Sequence, residues 1–540
     1  MNIKRIVLCA FLSIVLLMTS ACSLFENDGA GHTFKIALDG DPKNLDPQIA
    51  SDSSSISVAK NIFAQLVKRD SNGKISAWVA KDYSISADGL VYTFYINEGY
   101  SWKAAGDFTT PVTAHDFVFG FKRLFDAKTE SPYAEDYYCI KNAEAAHKSL
   151  VSLDDIGVKA LDDYTLEITL EYENAAFLHL LSLLPASPCN EGFFESCLGK
   201  YGLEADCIAS NGPFYVRYWL HEQYGNDNYV RLSRNDGYSK VSRVYPAGVT
   251  YLITKNYDVK LRYFTEETTD ILVYNALEQS PEVDNDSLCF VMYDQASSLV
   301  FNVNTPLFAD KEIREIFSMA LNRTEAENWI NMMAIMSKSV IADRLRLLGT
   351  PLDDQSILPE NTCVYNKAMA EYKWNLVDQS IKDTATNDLT ILVPDSFTAY
   401  EILYSVSDSW YEHLGVHVGI EVVKELDYNA RIKSGDYDIA LVTLSSQTGE
   451  PIDCLSEFGS KNTFGICLDE VLEAERAYSS CASLSACVYA FSNAHNKILE
   501  DYYALPLCQI ATVCIFEEDI ADLELDPFTN TVLFEKAKYY

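Results

Sequence analysis

Positive charge is scarce in this chain. Its 540 residues carry 42 Lys and Arg against 78 Asp and Glu, a net charge of −36. Such a surface repels polyanions, which excludes nucleic acid and anionic headgroups as partners. Histidine is scarcer still, with eight in the whole chain. None is interleaved with the cysteines, and no two cysteines make a CxxC pair, so a zinc-site pattern is missing. His413 and His417 are four apart, but Gly415 breaks the helix between them. There is no Gly-x-Ser-x-Gly, no His-Glu-x-x-His and no Gly-Lys-Ser/Thr. Serine hydrolysis, zinc proteolysis and nucleotide chemistry therefore lack their characteristic groups. The expectation is a protein that is not an enzyme and uses neither metal nor cofactor. Internal repeats of 20–50 residues and low-complexity tracts are also missing.

What is present is apolar and aromatic. Hydrophobic residues make up 48% of the chain and aromatics 12%, enough for a large core spread over two to four domains. Lys4 and Arg5 precede an apolar run, Ile6 to Met18, that is short for a membrane span. Ser20-Ala21-Cys22 then reads as the end of a bacterial lipoprotein signal, with Thr19 where Leu is usual. Residues 1–22 are the expected signal, Cys22 the expected lipidated residue, and residues 23–32 a tether. Two or more acyl chains would hold the protein at the membrane surface. Of the fourteen cysteines, Cys9 and Cys22 belong to this leader, and the other twelve could pair in an exported protein. Cys189, Cys197 and Cys207 cluster in a loop-rich region. Cys481 and Cys487 lie on a predicted helix, and Cys508 and Cys514 flank a predicted strand. Spacing leaves their connectivity open.

Patterning predicts strands and helices in a definite order. Thr33 to Leu38 alternates as a strand and leads into the turn Asp41 to Pro47. Ser51 to Ser57 reads as a polar loop and Val58 to Leu66 as a helix. Leu90 to Ile96 is β-branched and aromatic, a strand bounded by Asp88-Gly89 and Asn97-Glu98-Gly99. Thr113 and Asp116 form a capping box ahead of the apolar stripe Phe117, Phe121, Leu124 and Phe125. Asp154 to Leu170 is a hairpin whose Asp162 and Asp163 are turn formers in water rather than an acid–base pair. Ser210 to Val216 is a turn followed by a strand. Phe308 to Arg323 is an amphipathic helix after a strand ending at Asn302 to Asn304. Strands at Leu389–Val393, Val416–Val423 and Gly435–Val442, with a helix at Tyr400–His413 closed by Gly415, predict an α/β region. Pro506 to Phe516 is a last strand.

The sequence of landmarks resembles a known family. Thr93-Phe94-Tyr95-Ile96-Asn97-Glu98-Gly99, then Trp102, then Pro111 to Arg123, then Ser131-Pro132-Tyr133-Ala134 is similar to the signature segment of oligopeptide- and dipeptide-binding proteins. These are the solute-binding proteins of ABC importers, family 5, cluster C. The Leu45-Asp46-Pro47 turn, the Asp154–Leu170 hairpin, Asn211-Gly212-Pro213, the Phe308 helix and Gly435-Asp436-Tyr437-Asp438-Ile439 fall in the family's order. The resemblance implies an α/β, two-lobed, type II periplasmic-binding-protein-like fold with an extra subdomain, three domains in all. Domain I would comprise 33–69, 186–297 and 506–540, domain II 70–185, and domain III, the second lobe, 298–505.

The family's ligand lies between the lobes and is held by main-chain groups in the manner of an added strand. By matched position, Ser51, Asp52, Ser53 and Tyr133 face it from the first lobe. Thr443, Leu444, Ser445, Gln447 and Glu450 face it from the second. The family's usual Trp and Asp are replaced here by Leu444 and Gln447. In peptide binders that Asp pairs with the ligand's ammonium, and Gln offers a carbonyl oxygen without charge. Either Glu450, Asp453 or Asp52 supplies the charge, or the ligand is not a free-amine peptide. The implied role is capture of peptides for an ABC permease by a monomeric lipoprotein on the outer face of the cytoplasmic membrane or in the periplasm. A glycan or metal chelate as ligand, or a sensing role, is the alternative; a secreted hydrolase is disfavoured.

Overall fold

The computed structural model describes residues 31–540 apart from 71–72, 223–227, 240–242, 276–287, 323–333, 349, 353–363, 386–388, 447–448, 481–482 and 527–528. The expected lipoprotein signal, Cys22 and Gln447 lie outside the described residues, as does most of the expected tether.

Two long antiparallel strands, Leu288–Phe301 and Ala504–Phe516, run through both lobes. Their first-lobe halves pair Leu288 with Phe516 and Met292 with Thr512, and their second-lobe halves pair Leu299 with Leu505. The ladder shifts register between Tyr293 and Gln295 and again between Ser297 and Ser298. Such bulges bend a strand and sharpen its twist, and here they fall midway between the lobes. Both strands were expected to start later, at Leu299 and Pro506. Ala504–Phe516 is buried at every position, so Cys508 and Cys514 lie inside the strand and do not flank it.

The sheet grows outward from this pair. On the first-lobe side Ile271–Asn275, Thr33–Leu38, Gly248–Ile253, Tyr229–Arg234 and Phe214–Leu220 follow in order. On the second-lobe side the order is Ile439–Leu444, Leu389–Pro394, Val418–Val423. The parallel pairs on each side alternate with helices, as α/β patterning requires. Helix Tyr400–Leu414 ends at Gly415, whose φ of 70° is the left-handed conformation that suits glycine. The Phe308 helix is shorter than expected, Lys311–Ala320, with Asp310 as its cap.

The extra subdomain is built on a separate sheet, Ala80–Ile85, Val91–Ile96, Thr165–Thr169 and Val158–Asp162. Helix Ala114–Phe125 packs on it and carries the predicted capping box, the Asp116 carboxylate accepting from Thr113 N at 2.7 Å. Its Phe117, Phe121, Leu124 and Phe125 are buried in the first-lobe core.

The same helix buries Arg123. Burial opposes the charge of the guanidinium, but Asp46 outweighs it and holds the pKa above the ordinary value. Arg123 bonds both carboxylate oxygens of Asp46, one at 3.0 Å, and the side-chain oxygen of Gln48 at 2.7 Å. It stacks on Phe194, 4.2 Å from the ring centre. Gln48 in turn donates to the carbonyls of Pro185 and Ser187. The Leu-Asp-Pro turn is thereby fixed to the subdomain.

The Asn-Gly-Pro landmark does similar work. Asn211 accepts from Ala64 N at 3.0 Å and donates to Ala64 O at 2.7 Å. A Cβ on Gly212 would stand 2.5 Å from the backbone carbon of Ile62, so only glycine allows this approach.

Cys139, Cys189, Cys197, Cys454, Cys508 and Cys514 are buried free thiols, Cys207 is half-buried, and Cys289 and Cys467 are exposed. Cys487 is disulfide-bonded.

Asp46→Ala would leave the Arg123 charge buried and unpaired. We expect a loss of about 3–5 kcal/mol in urea unfolding. Glu144→Ala, which removes an exposed i,i+4 partner of Lys148, is expected to stay within about 0.5 kcal/mol.

Candidate functional site

The first-lobe edge begins with a helix, not the expected polar loop. Ser53–Ile62 is helical, and Asp52 is its N-cap, accepting from Ser55 N at 2.9 Å and Ser55 Oγ at 2.6 Å. Ser54 and Ser55 are buried, which is how a serine-rich stretch that reads as loop becomes a first helical turn. Ser51 and Ser53 remain exposed. The backbone just before them is held by the subdomain: Ser131 Oγ donates to Gln48 O at 2.6 Å, and Tyr133 OH donates to Ala50 O at 2.7 Å.

Tyr133 stands at the centre of the site. Burial pushes its phenol up to about 12, and Asp136, Asp52 and Asp453 add to the shift. Asp52 and Asp136 belong to the first lobe. Asp453 belongs to the second, in the short helix Ile452–Leu455 whose Cys454 and Leu455 sit in that lobe's core. Carboxylates of both lobes therefore act on one phenol.

Asp136 is the group most affected. Its side chain reaches solvent within the cleft, and the protein lining the cleft pushes its carboxyl up to about 7, first by desolvation and then by the charge of Asp453. Lys461 works the other way, and Glu135 adds slightly to the rise. Lys461 is itself engaged, with Glu457 Oε1 at 2.8 Å. Asp453 accepts from Ser446 Oγ at 2.8 Å, which holds its side chain in place. Two carboxylates close enough to feel each other's charge favour a cation with several hydrogen-bond donors, such as an ammonium.

The second-lobe edge is strand Ile439–Leu444 and the residues after it. Thr443 and Ser445 are exposed, whereas the Leu444 side chain is buried in the lobe's core, leaving only its main chain to reach a ligand. Thr443 Oγ1 is 2.8 Å from Ser297 Oγ.

Glu450 points elsewhere. It is 2% exposed and sits 3.2 Å from Arg69 Nη1 of the first lobe, and its other oxygen accepts from Leu348 N at 2.9 Å. Burial pushes its carboxyl up, and the Arg69 charge beside it pulls the other way and favours the carboxylate. His179 Nδ1, also from the first lobe, is 3.9 Å away. Burial and the Arg69 charge hold that imidazole down to about 4, so it is neutral. Of the three carboxylates considered as substitutes for the family's Asp, Glu450 is committed to Arg69 and Asp52 to its helix cap. Asp453, which accepts from Ser446, is the one of the three whose charge raises the Asp136 carboxyl.

Asp136 and Arg69 were not singled out in the sequence. Asp136 lies three residues after Tyr133, just beyond the landmark that ends at Ala134. Among the described residues no group of three His, Cys, Asp or Glu side chains is placed to hold a metal ion.

Comparison with known proteins places this geometry in context. A family model described as bacterial extracellular solute-binding proteins, family 5, middle region, matches residues 74–465. The oligopeptide-binding protein OppA of Bacillus subtilis is 26% identical over 487 residues, spanning 85% of this chain and 85% of that protein. Among solved structures, the substrate-binding domain of an oligopeptide ABC transporter from Bacillus anthracis superposes with a TM-score of 0.73 at 23% identity, over 95% of this chain and 100% of that one. Listeria monocytogenes OppA bound to peptide gives 0.73 at 20% identity, over 95% and 99%.

Tyr133→Phe keeps the ring but removes the bond to Ala50 O. The expected cost is about 1 kcal/mol in chemical denaturation.

Proposed function

Since the chain belongs to the bacterial extracellular solute-binding proteins of family 5, we propose that it captures peptides between its lobes and delivers them to an ABC permease. The observation that carries the peptide reading is that the charge of Asp453, from the second lobe, raises the carboxyl of Asp136 on the first, and that both raise the Tyr133 phenol. These two carboxylates receive the free amino terminus of the ligand, the role for which Gln447 has no charge. Exposed Ser51 and Ser53 on one lobe and Thr443 and Ser445 on the other offer edges for the peptide backbone. Cys22 carries the lipid that keeps the protein on the outer face of the membrane, as a monomer beside its permease. Ligand bridging both lobes shifts the balance toward the closed form.

The proposal has a pH signature. With the lobes together, burial and the Asp453 charge push the Asp136 carboxyl up to about 7. Below that pH it holds a proton, which an incoming ammonium must displace; above it the carboxylate is already charged. Affinity for a free-amine peptide is therefore expected to rise toward about tenfold per pH unit between pH 5.5 and 7, and to level off above. Calorimetry of the mature protein checks this. Asp136→Asn should flatten the profile, and an N-acetylated peptide should bind more weakly with no such slope. Equal binding of the acetylated peptide, or recovery of a sugar or metal chelate from the cleft by mass spectrometry, would overturn the assignment.

A further inference from the structure

The binding proposal makes no use of the ion pair formed by Arg69 and Glu450, although it is the most enclosed polar contact described between the lobes. Arg69 ends strand Val67–Arg69, which leads out of the first-lobe core. Glu450 precedes Pro451 and the helix that carries Asp453. Their side chains are 6% and 3% exposed. The two groups come from opposite lobes, so each must be stripped of water every time the lobes meet, with or without ligand.

We infer that the Arg69–Glu450 pair is a register lock for lobe closure: Arg69 is a positioning residue that seats the segment from Glu450 to Asp453 against the first lobe. This rests on the two-lobed capture mechanism proposed above, but not on the ligand being a peptide.

The physical argument runs from desolvation. Burying one ion without its partner costs far more than burying the pair, and the pair breaks even only with good geometry and further hydrogen bonds. Glu450 has these: Arg69 on one oxygen, Leu348 N on the other. On the first-lobe side the pocket is completed by neutral His179, whose Nδ1 is buried without a hydrogen bond. A closure displaced by a few ångströms would leave both charges buried and apart. The lock thus adds little to the closed form in its proper register and strongly disfavours every other register. Asp453 lies three residues beyond Glu450 on a short helix turn, with Asp453 N bonded to Glu450 O at 3.3 Å. Fixing Glu450 against Arg69 therefore fixes Asp453 relative to Asp136. Neither Arg69 nor Glu450 has to touch the ligand for this to work.

The test uses the mature chain with three variants, Arg69→Met, the double variant Arg69→Met with Glu450→Gln, and the charge exchange Arg69→Glu with Glu450→Arg. Two readouts are taken. Small-angle scattering without ligand reports closure independently of what the protein binds, and titration with a free-amine peptide reports capture. Arg69→Met leaves Glu450 unpaired, so the ligand-free protein should be measurably more extended. Peptide affinity should fall by at least about 30-fold. The double variant has no buried charge to strand and should recover compaction and most of the affinity. The charge exchange should recover part of both. A merely structural role predicts the opposite ordering, with the double variant no better than the single one in unfolding and in closure. The lock is overturned if Arg69→Met scatters and binds like the parent, or if the double variant is as open as the single. If no variant and no parent binds peptide, the ligand assignment fails while the scattering comparison still decides the lock.

Discussion

The structure depends on one shared ladder. Leu288–Phe301 and Ala504–Phe516 are hydrogen-bonded to each other along their length, so the two lobes are halves of a single sheet. Buried backbone groups must stay paired, which forbids the lobes from sliding apart and leaves bending as the available motion. The two register shifts near Gln295 and Ser298 put that bend where the first-lobe pairing with Ile271–Asn275 gives way to the second-lobe pairing with Ile439–Leu444. Everything on the cleft faces across this line, and each facing pair becomes a function of one angle.

Local rules made much of the fold legible. Strand Thr33–Leu38, the Thr113–Asp116 capping box and the Gly415 terminus follow from propensity, caps and backbone freedom. The order of landmarks carried the two-lobed architecture. What escaped was set by distance along the chain. Arg123 meets Asp46 across 77 residues, and nothing near either residue announces a buried pair. Helix Ser53–Ile62 starts five residues before its apolar stretch because buried serines and an Asp cap form its first turn. The strand Ala504–Phe516 was read nearly whole, from Pro506, but Leu288–Phe301 was read only from Leu299, since a strand that changes lobes has no local mark at the crossing. At the site, Tyr133 and Asp453 were within reach of sequence reasoning. Glu450 was assigned to the ligand because its partner Arg69 lies 381 residues away.

The uneven charge of the chain acquires a pattern in three dimensions. Cations are few, and several are spent inside: Arg123 on Asp46, Arg69 on Glu450, and Arg314 on the carbonyls of Phe308 and Asp501. Each fastens segments that are far apart in sequence. The exterior is left acidic, and so is the space beside Tyr133. An acidic lining of this kind gives a cleft a potential that favours cations over anions.

The cysteines carry a consequence for how the protein comes into being. Thiols at Cys139, Cys189 and Cys508 are pushed up to about 12 by burial, and those at Cys454 and Cys514 are raised for the same reason. A protonated, enclosed thiol is neither a nucleophile nor a ready substrate for oxidants. Formation and reshuffling of disulfides take seconds to hours. The parts of the core that hold these five sulfurs use them as small hydrophobes and can assemble without waiting for a disulfide.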